Sequence, residues 1–278
     1  MIAAARAALA AAWAHTVVGI GIVLLALVCF TWALVATVLN LVLPADAGRR
    51  AGRRGAMGSF RFYLAAMETL GAWRLDITEL DRLRDAGPLI IAPNHPCLLD
   101  AVMLVSRLPD AVCVMKGSLL ATFWLGPASR LARYVPNDSL IRLVARAGDE
   151  LRLGGQLLLF PEGTRSTAQP IGPFTDAVGA LSRRTGFPVQ AVIIEADTRF
   201  LGKGWRPGDR PRLPLSYRVR IGRRFEPPRD VRSFTVELER YFTRELAHAG
   251  AGVEVEPQGA GLALSAAPIV EDRHRLRG

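Results

Sequence analysis

Residues 88–100 read PLIIAPNHPCLLD: an apolar run closes on Asn94-His95-Pro96-Cys97, and an apolar stretch over 101–108 follows. A short continuous run of this kind between prolines has the character of a buried strand. Pro96 keeps His95 out of the helical region and suits the first turn of a helix, so the unit reads as strand, loop, helix. His95 then stands at the carboxyl mouth of the strand, where open α/β sheets bind ligands. Residues 111–115, 156–160 and 189–194 repeat the buried-strand pattern. Amphipathic stretches lie between them, as in 138–153, where Leu140, Leu143, Val144, Ala147 and Leu151 share a face behind an Asn137-Asp138 start signal. Strands alternating with helices predict an α/β fold, a mostly parallel sheet covered by helices. A helix over 60–73, a strand over 75–80, a half-exposed strand over 215–221 and a last helix over 231–247 complete the expected body.

The chain has 278 residues, room for one sizeable α/β domain. Half of them are apolar against 22% charged, and mean hydropathy is positive, which places part of the chain in lipid. That part is the amino-terminal segment. From Ala7 to Pro44 there is no Asp, Glu, Lys or Arg. As a helix, 17–43 covers roughly 40 Å against the roughly 30 Å of a hydrocarbon core. A cleaved signal peptide is the other reading, but its apolar region normally spans only about 7 to 15 residues. A hairpin broken near Thr16 to Gly21 and held in one leaflet is a further arrangement. Arg49, Arg50, Arg53, Arg54 and Arg61 follow the segment and only Arg6 precedes it, so the body is expected on the cytoplasmic side. The organisation expected is a membrane anchor at 1–48, a basic linker at 49–58, a globular domain at 59–248 and a mobile tail at 249–278.

Thirty-five basic against twenty-five acidic residues leave a net charge of +10, which favours anionic partners. No recognised nucleic-acid fold or stacking-aromatic pattern accompanies it, so phosphorylated substrates and membrane headgroups remain. The basic residues of 199–224 read either as a solvated face or as a surface lying on anionic lipid, with docking of an acidic carrier protein a third use. Cys29, Cys97 and Cys113 form neither a disulfide framework nor a metal-ligand pattern. No metal site is expected.

Of four histidines, only His95 is placed for catalysis. Asp100 falls in the first turn of the helix after it, positioned to hold one imidazole nitrogen and leave the other to take a proton. The plainer alternative is a dipole-compensating carboxylate beside a loop histidine. With no serine nucleophile adjacent, the substrate supplies the hydroxyl. Cys97 reads as a small packing residue or as a nucleophile beside a base. A second cluster, FPEGTRS at 160–166, ends another strand at the same sheet edge. Its Arg fork and backbone amides suit a phosphate or a carboxylate, while alone it is also an ordinary turn.

Together, His95-x4-Asp100 and the FPEGTRS motif about 65 residues on resemble the glycerolipid acyltransferase family, which includes 1-acylglycerol-3-phosphate acyltransferases. The resemblance covers roughly 60–225 and extends to Lys116, Gly126, Tyr134-Val135-Pro136 and Pro173-Phe174. It implies transfer of a fatty acyl group from acyl-CoA or acyl carrier protein, as co-substrate and with no cofactor, to the hydroxyl of a lysolipid. His95 would be general base and Asp100 its partner. Glu162, Gly163, Thr164, Arg165 and Lys116 would bind the acceptor. The resemblance also implies a membrane-bound enzyme of phospholipid synthesis. This chain has Cys97 where the family commonly has Ser, Asn137 where an Arg often binds phosphate, and Thr175-Asp176-Ala177 in place of a Lys-x-Gly element. These departures bear on the acceptor, so a non-phosphate hydroxyl lipid and an inactive lipid-binding homologue stand beside 1-acylglycerol-3-phosphate acylation.

Overall fold

Leu89, Ile90, Ile91 and Ala92 are wholly buried and point alternately to opposite faces of the sheet, so β2 (Leu89–Pro93) needs cover on both sides. The computed structural model, which describes residues 1–166, 170–198, 200–206 and 213–250, provides that cover. The elements run α1 (Ile2–Val42), α2 (Ala45–Thr69), β1 (Trp73–Asp76), β2, α3 (Asp100–Arg107), β3 (Ala111–Met115), α4 (Gly117–Leu120), α5 (Gly126–Ala132) and β4 (Val135–Pro136). They continue with α6 (Leu140–Arg152), β5 (Gln156–Leu158), α7 (Ala177–Thr185), β6 (Val189–Ala196), β7 (Leu215–Phe225) and α8 (Val231–Gly250). One sheet has the order β1-β7-β6-β2-β5-β3-β4, parallel at every pairing except β6 with β7. The expected α/β class holds, with the strand at 215–221 extended to Phe225 and antiparallel to β6.

Each face of the sheet has its own core. Leu89 and Ile91 pack with Leu64, Met67, Trp73, Leu99, Met103 and Leu104 beneath α2 and α3. Ile90 and Ala92 pack with Leu143, Leu151, Leu181, Phe234, Leu238 and Phe242 beneath α6, α7 and α8. The sequence over 75–80 is mostly not a strand: after Asp76 a 3-10 turn occupies Thr78–Leu83, with Leu80 and Leu83 buried.

The amino-terminal segment is one unbroken helix, so the break expected as one option at Thr16 to Gly21 is absent. The chain instead turns at Leu43-Pro44 and returns as α2. Residues 49–58, read as a basic linker, lie inside that helix. Its glycines and charges give it weak intrinsic helix propensity, and tertiary contacts hold it. Arg49, Gly52, Arg53, Ala56, Tyr63, Leu64 and Met67 form its buried face. A side chain at Gly52 would lie 2.5 Å from the Ala132 backbone, so only glycine lets α2 and α5 approach this closely. Arg53 is wholly buried, donates through Nε to Ala132 O (3.2 Å) and pairs through Nη2 with Glu150 of α6. Of the basic stretch read at 199–224, Arg218 pairs with Asp76, Arg220 with Glu195 and Glu245, and Arg223 with Glu237. These three charges are therefore paired within the fold. Arg199, Arg210 and Arg212, and the tail from 251 on, lie outside the described residues.

A buried pair broken on one side leaves an uncompensated charge, which typically costs about 3–5 kcal/mol. Arg53→Met alone leaves Glu150 only the more exposed Arg133 (3.5 Å) and is expected to lower stability by about the lower end of that range, and the double variant Arg53→Met/Glu150→Leu to recover most of it. Thermal and denaturant unfolding of the detergent-solubilised variants checks this.

Candidate active site

The loop after β2 carries His95 past the sheet edge, and several contacts fix it there. Asn94 is buried and bonds bidentately to β6: its Nδ2 donates to Ile194 O (2.8 Å), and its Oδ1 accepts from Ile194 N (2.7 Å). The His95 amide donates to Glu162 Oε1 (3.0 Å), and the His95 carbonyl accepts from the Ser166 amide (2.8 Å). Across the ring face, Phe160 stacks at a centroid distance of 3.9 Å and 22° between planes. Backbone and ring plane are thus set by contacts with β6 and with the loop after β5.

Asp100 opens α3 and is wholly buried. Its Oδ2 lies 2.7 Å from His95 Nδ1 and accepts from the Cys97 amide (2.8 Å), while Oδ1 accepts from Cys97 Sγ (3.0 Å). A carboxylate at that nitrogen requires Nδ1 to carry the hydrogen, which leaves Nε2 with its lone pair. The His95 side chain keeps 17% of its surface exposed. Burial pushes the Asp100 carboxyl up, opposed by the bond from His95, the charge of that imidazole and the two bonds from Cys97. Burial, reinforced by the nearby Asp100 charge, pushes the Cys97 thiol well above its ordinary range. Tyr217 of β7, 2% exposed, packs behind that thiol. Cys97 is accordingly a protonated donor to Asp100, the opposite of an activated nucleophile.

Glu162 was expected to meet the acceptor, and the structure gives its carboxylate other work. The side chain is buried. Oε1 accepts from the His95 amide and from Ser166 Oγ (2.8 Å), and Oε2 accepts from the Gly172 amide (2.7 Å). Gly163, at φ +66°, makes the turn that follows, and its amide donates to Phe160 O (3.1 Å). Gly163 and Thr164 are exposed on that turn. Arg165 Nη1 donates to Leu201 O (2.9 Å) and Gly202 O (3.1 Å), so the half-buried guanidinium is fixed to the loop after β6. Lys116 is exposed at the end of β3, on the same sheet edge as His95. Since β5 lies between β2 and β3, the two strands stand roughly 10 Å apart. His95, Asp100 and Glu162 are therefore interlocked, while Arg165, Thr164 and Lys116 ring the same edge. Among the described residues, no group of three or more His, Cys, Asp and Glu is arranged to hold a metal ion.

Sequence reasoning missed Asn94, Phe160, Ser166 and Tyr217 as supports. The Asn94-His95-Pro96 run flanking the strand was the one signal that marked Asn94; partners on β6 and β7 leave no local pattern.

Beside the dyad a cavity of about 370 Å³ runs between α1, α2 and the body. Leu98 and Leu99, the residues immediately before Asp100, line one end. Val17, Gly21, Leu25, Met67 and Trp73 line the remainder, so the walls are almost wholly apolar.

The chain is similar to several known proteins. A family model described as Acyltransferase matches residues 74–195, which include both motifs. The chain is 24% identical over 235 residues to a 1-acyl-sn-glycerol-3-phosphate acyltransferase of Pseudomonas aeruginosa, covering 81% of this chain and 88% of that protein. It is 25% identical over 183 residues to the human 1-acyl-sn-glycerol-3-phosphate acyltransferase beta, covering 62% and 63%. The crystal structure of the 1-acyl-sn-glycerophosphate acyltransferase PlsC from Thermotoga maritima shares the fold, with a TM-score of 0.65 at 16% identity over 88% of this chain and 97% of the other. A sheet edge that carries both motifs, the matching family model and these relatives together support an acyltransferase similar to the glycerolipid acyltransferase family.

Proposed function

We propose that this enzyme acylates the free hydroxyl of 1-acylglycerol-3-phosphate, with acyl-CoA or acyl carrier protein as donor and phosphatidic acid as product. The observation that carries the reading is the buried Asp100 held 2.7 Å from His95 Nδ1 beside an apolar cavity. His95 Nε2 takes the proton of the acceptor hydroxyl as its oxygen bonds to the thioester carbonyl carbon. The tetrahedral intermediate then expels the thiolate, the C–S bond breaks, and His95 returns the proton to sulfur. Asp100 keeps the imidazole in the required tautomer and offsets its transient positive charge. A thioester is already electrophilic, so alignment and proton removal are what the protein must supply. The cavity receives an acyl chain. Lys116, Arg165 and the exposed Gly163-Thr164 turn lie where the acceptor's phosphate would approach, in the absence of an arginine at Asn137. The covalent alternative through Cys97 is disfavoured because that thiol is buried and protonated.

The same reading places the enzyme on one leaflet. α1 is long and apolar enough to cross a membrane, yet it touches the body at intervals from Val17 to Asn40. Val17 joins the body's core, Trp32 lies against Gly55, and Asn40 donates to Pro127 O (3.0 Å). That span is roughly 35 Å of helix, more than a hydrocarbon core. A transverse α1 would carry the exposed Arg50, Arg54 and Arg61 of α2 into lipid. With α1 lying along the membrane instead, its exposed Leu27, Phe30, Leu34, Val38 and Leu41 meet hydrocarbon, and the body faces the cytoplasm.

Removing the base is expected to slow transfer on the order of 10²–10⁴-fold in His95→Ala. Asp100→Asn, which holds the wrong tautomer, should fall in the same range. Both are read as labelled phosphatidic acid formed from 1-acylglycerol-3-phosphate, and full rates in either refute the reading. Cys97→Ser keeps a donor to Asp100 and should retain near-normal transfer, whereas loss of activity there with folding intact supports a covalent route. Ala26→Phe, which fills the cavity, should shift acyl preference toward shorter chains, measured with a donor series of increasing length.

A further inference from the structure

The segment that runs from the end of β3 into α5 is left unexplained by the reaction. Residues 117–129, GSLLATFWLGPAS, hold no charged side chain. Phe123 is 74% exposed and Trp124 50%, with their rings stacked at 5.5 Å. Leu119 and Leu98 are exposed beside them. A contiguous apolar patch of this kind marks an interaction surface.

We propose that this segment is a second membrane-inserting element, with Phe123 at its tip, and that it holds the mouth of the acyl cavity inside the hydrocarbon of one leaflet. The inference rests on the membrane placement of α1 given above. Three observations select a bilayer as the occupant. First, the patch is continuous with the anchor, since Leu98, Leu119 and Trp124 line the same cavity as Ile22, Leu25 and Ala26 of α1. Second, part of the segment's backbone is already satisfied within it. Leu119 N bonds to Lys116 O (3.0 Å), Thr122 N to Leu119 O (3.2 Å) and Gly126 N to Thr122 O (2.8 Å), while Thr122 Oγ1 is satisfied by Leu119 O (2.7 Å). Third, the flanking charges are cations. Lys116 and Arg130 are both exposed, the arrangement that suits phosphate headgroups above a buried apolar tip. An acidic carrier protein would need charge within the patch, which has none. With α1 on one side and Leu119 to Leu125 on the other, an acyl chain enters the cavity sideways from the leaflet.

The test places a nitrobenzoxadiazole probe at Phe123→Cys or at Leu27→Cys on the outer face of α1, each in the full-length Cys29→Ser chain. Vesicles of phosphatidylcholine and phosphatidylglycerol carry nitroxide-labelled acyl chains. Quenching at both positions is expected. Quenching at 27 with none at 123 overturns the inference and leaves the anchor reading standing, and absence of quenching at both removes both. Protection at 123 that appears only with added acyl carrier protein also overturns it, in favour of protein docking. In parallel, Phe123→Ser should lose about tenfold or more in apparent affinity for vesicle-embedded long-chain lysolipid, the change that burial of one phenyl ring supplies. Turnover of a water-soluble short-chain acceptor should stay unchanged. Equal loss on both substrates contradicts membrane insertion.

Discussion

A single buried carboxylate, Glu162, holds the two loops of the site together. It accepts hydrogen bonds from the His95 amide, from Ser166 Oγ and from the Gly172 amide. The loop after β2 is thereby joined to the loop after β5, and the imidazole is aimed from its own backbone outward. Buried ionised groups are tolerated only when their bonding capacity is met, and here three donors meet it. Asp100 repeats the device at the other end of the ring, with His95 Nδ1, the Cys97 amide and the Cys97 thiol around it. His95 and Asp100, carried by the loop after β2 and by α3, are held against the loop after β5 by these contacts.

The placement of the site follows from α1 and α2 as much as from the sheet. α1 has one stripe against the body and the opposite one free and apolar. α2 carries arginines on both sides, with Arg49 and Arg53 turned inward and Arg50, Arg54 and Arg61 outward. Burying Arg53 against Glu150 fixes the hairpin to α5 and α6. α1 is thus part of the wall of the apolar cavity, and under the function proposed above a lipid tail need not leave the membrane to react.

Much of this was legible in the sequence because the signals are local. Four apolar runs of strand length announced β2, β3, β5 and β6, and His95 with Asp100 five residues on was readable from one turn of chain. What escaped depends on distant partners. Arg49 and Arg53 look like a solvated linker until Leu153 O and Glu150, 104 and 97 residues away, are brought beside them. Glu162 looks like a headgroup ligand because its partners include backbone amides, which every residue carries. Cys97 offered two readings, and only its burial against Asp100 separated them.

The central claim is direct transfer, in which His95 deprotonates the acceptor and no acyl group rests on the protein. A single-turnover experiment with labelled acyl thioester, run with and without 1-acylglycerol-3-phosphate and followed by free-thiol release and intact-protein mass, tests it most directly. The account predicts thiol release only when the lysolipid is present and a protein mass that never changes. A stoichiometric burst of thiol without lysolipid, accompanied by an acylated protein, would contradict it.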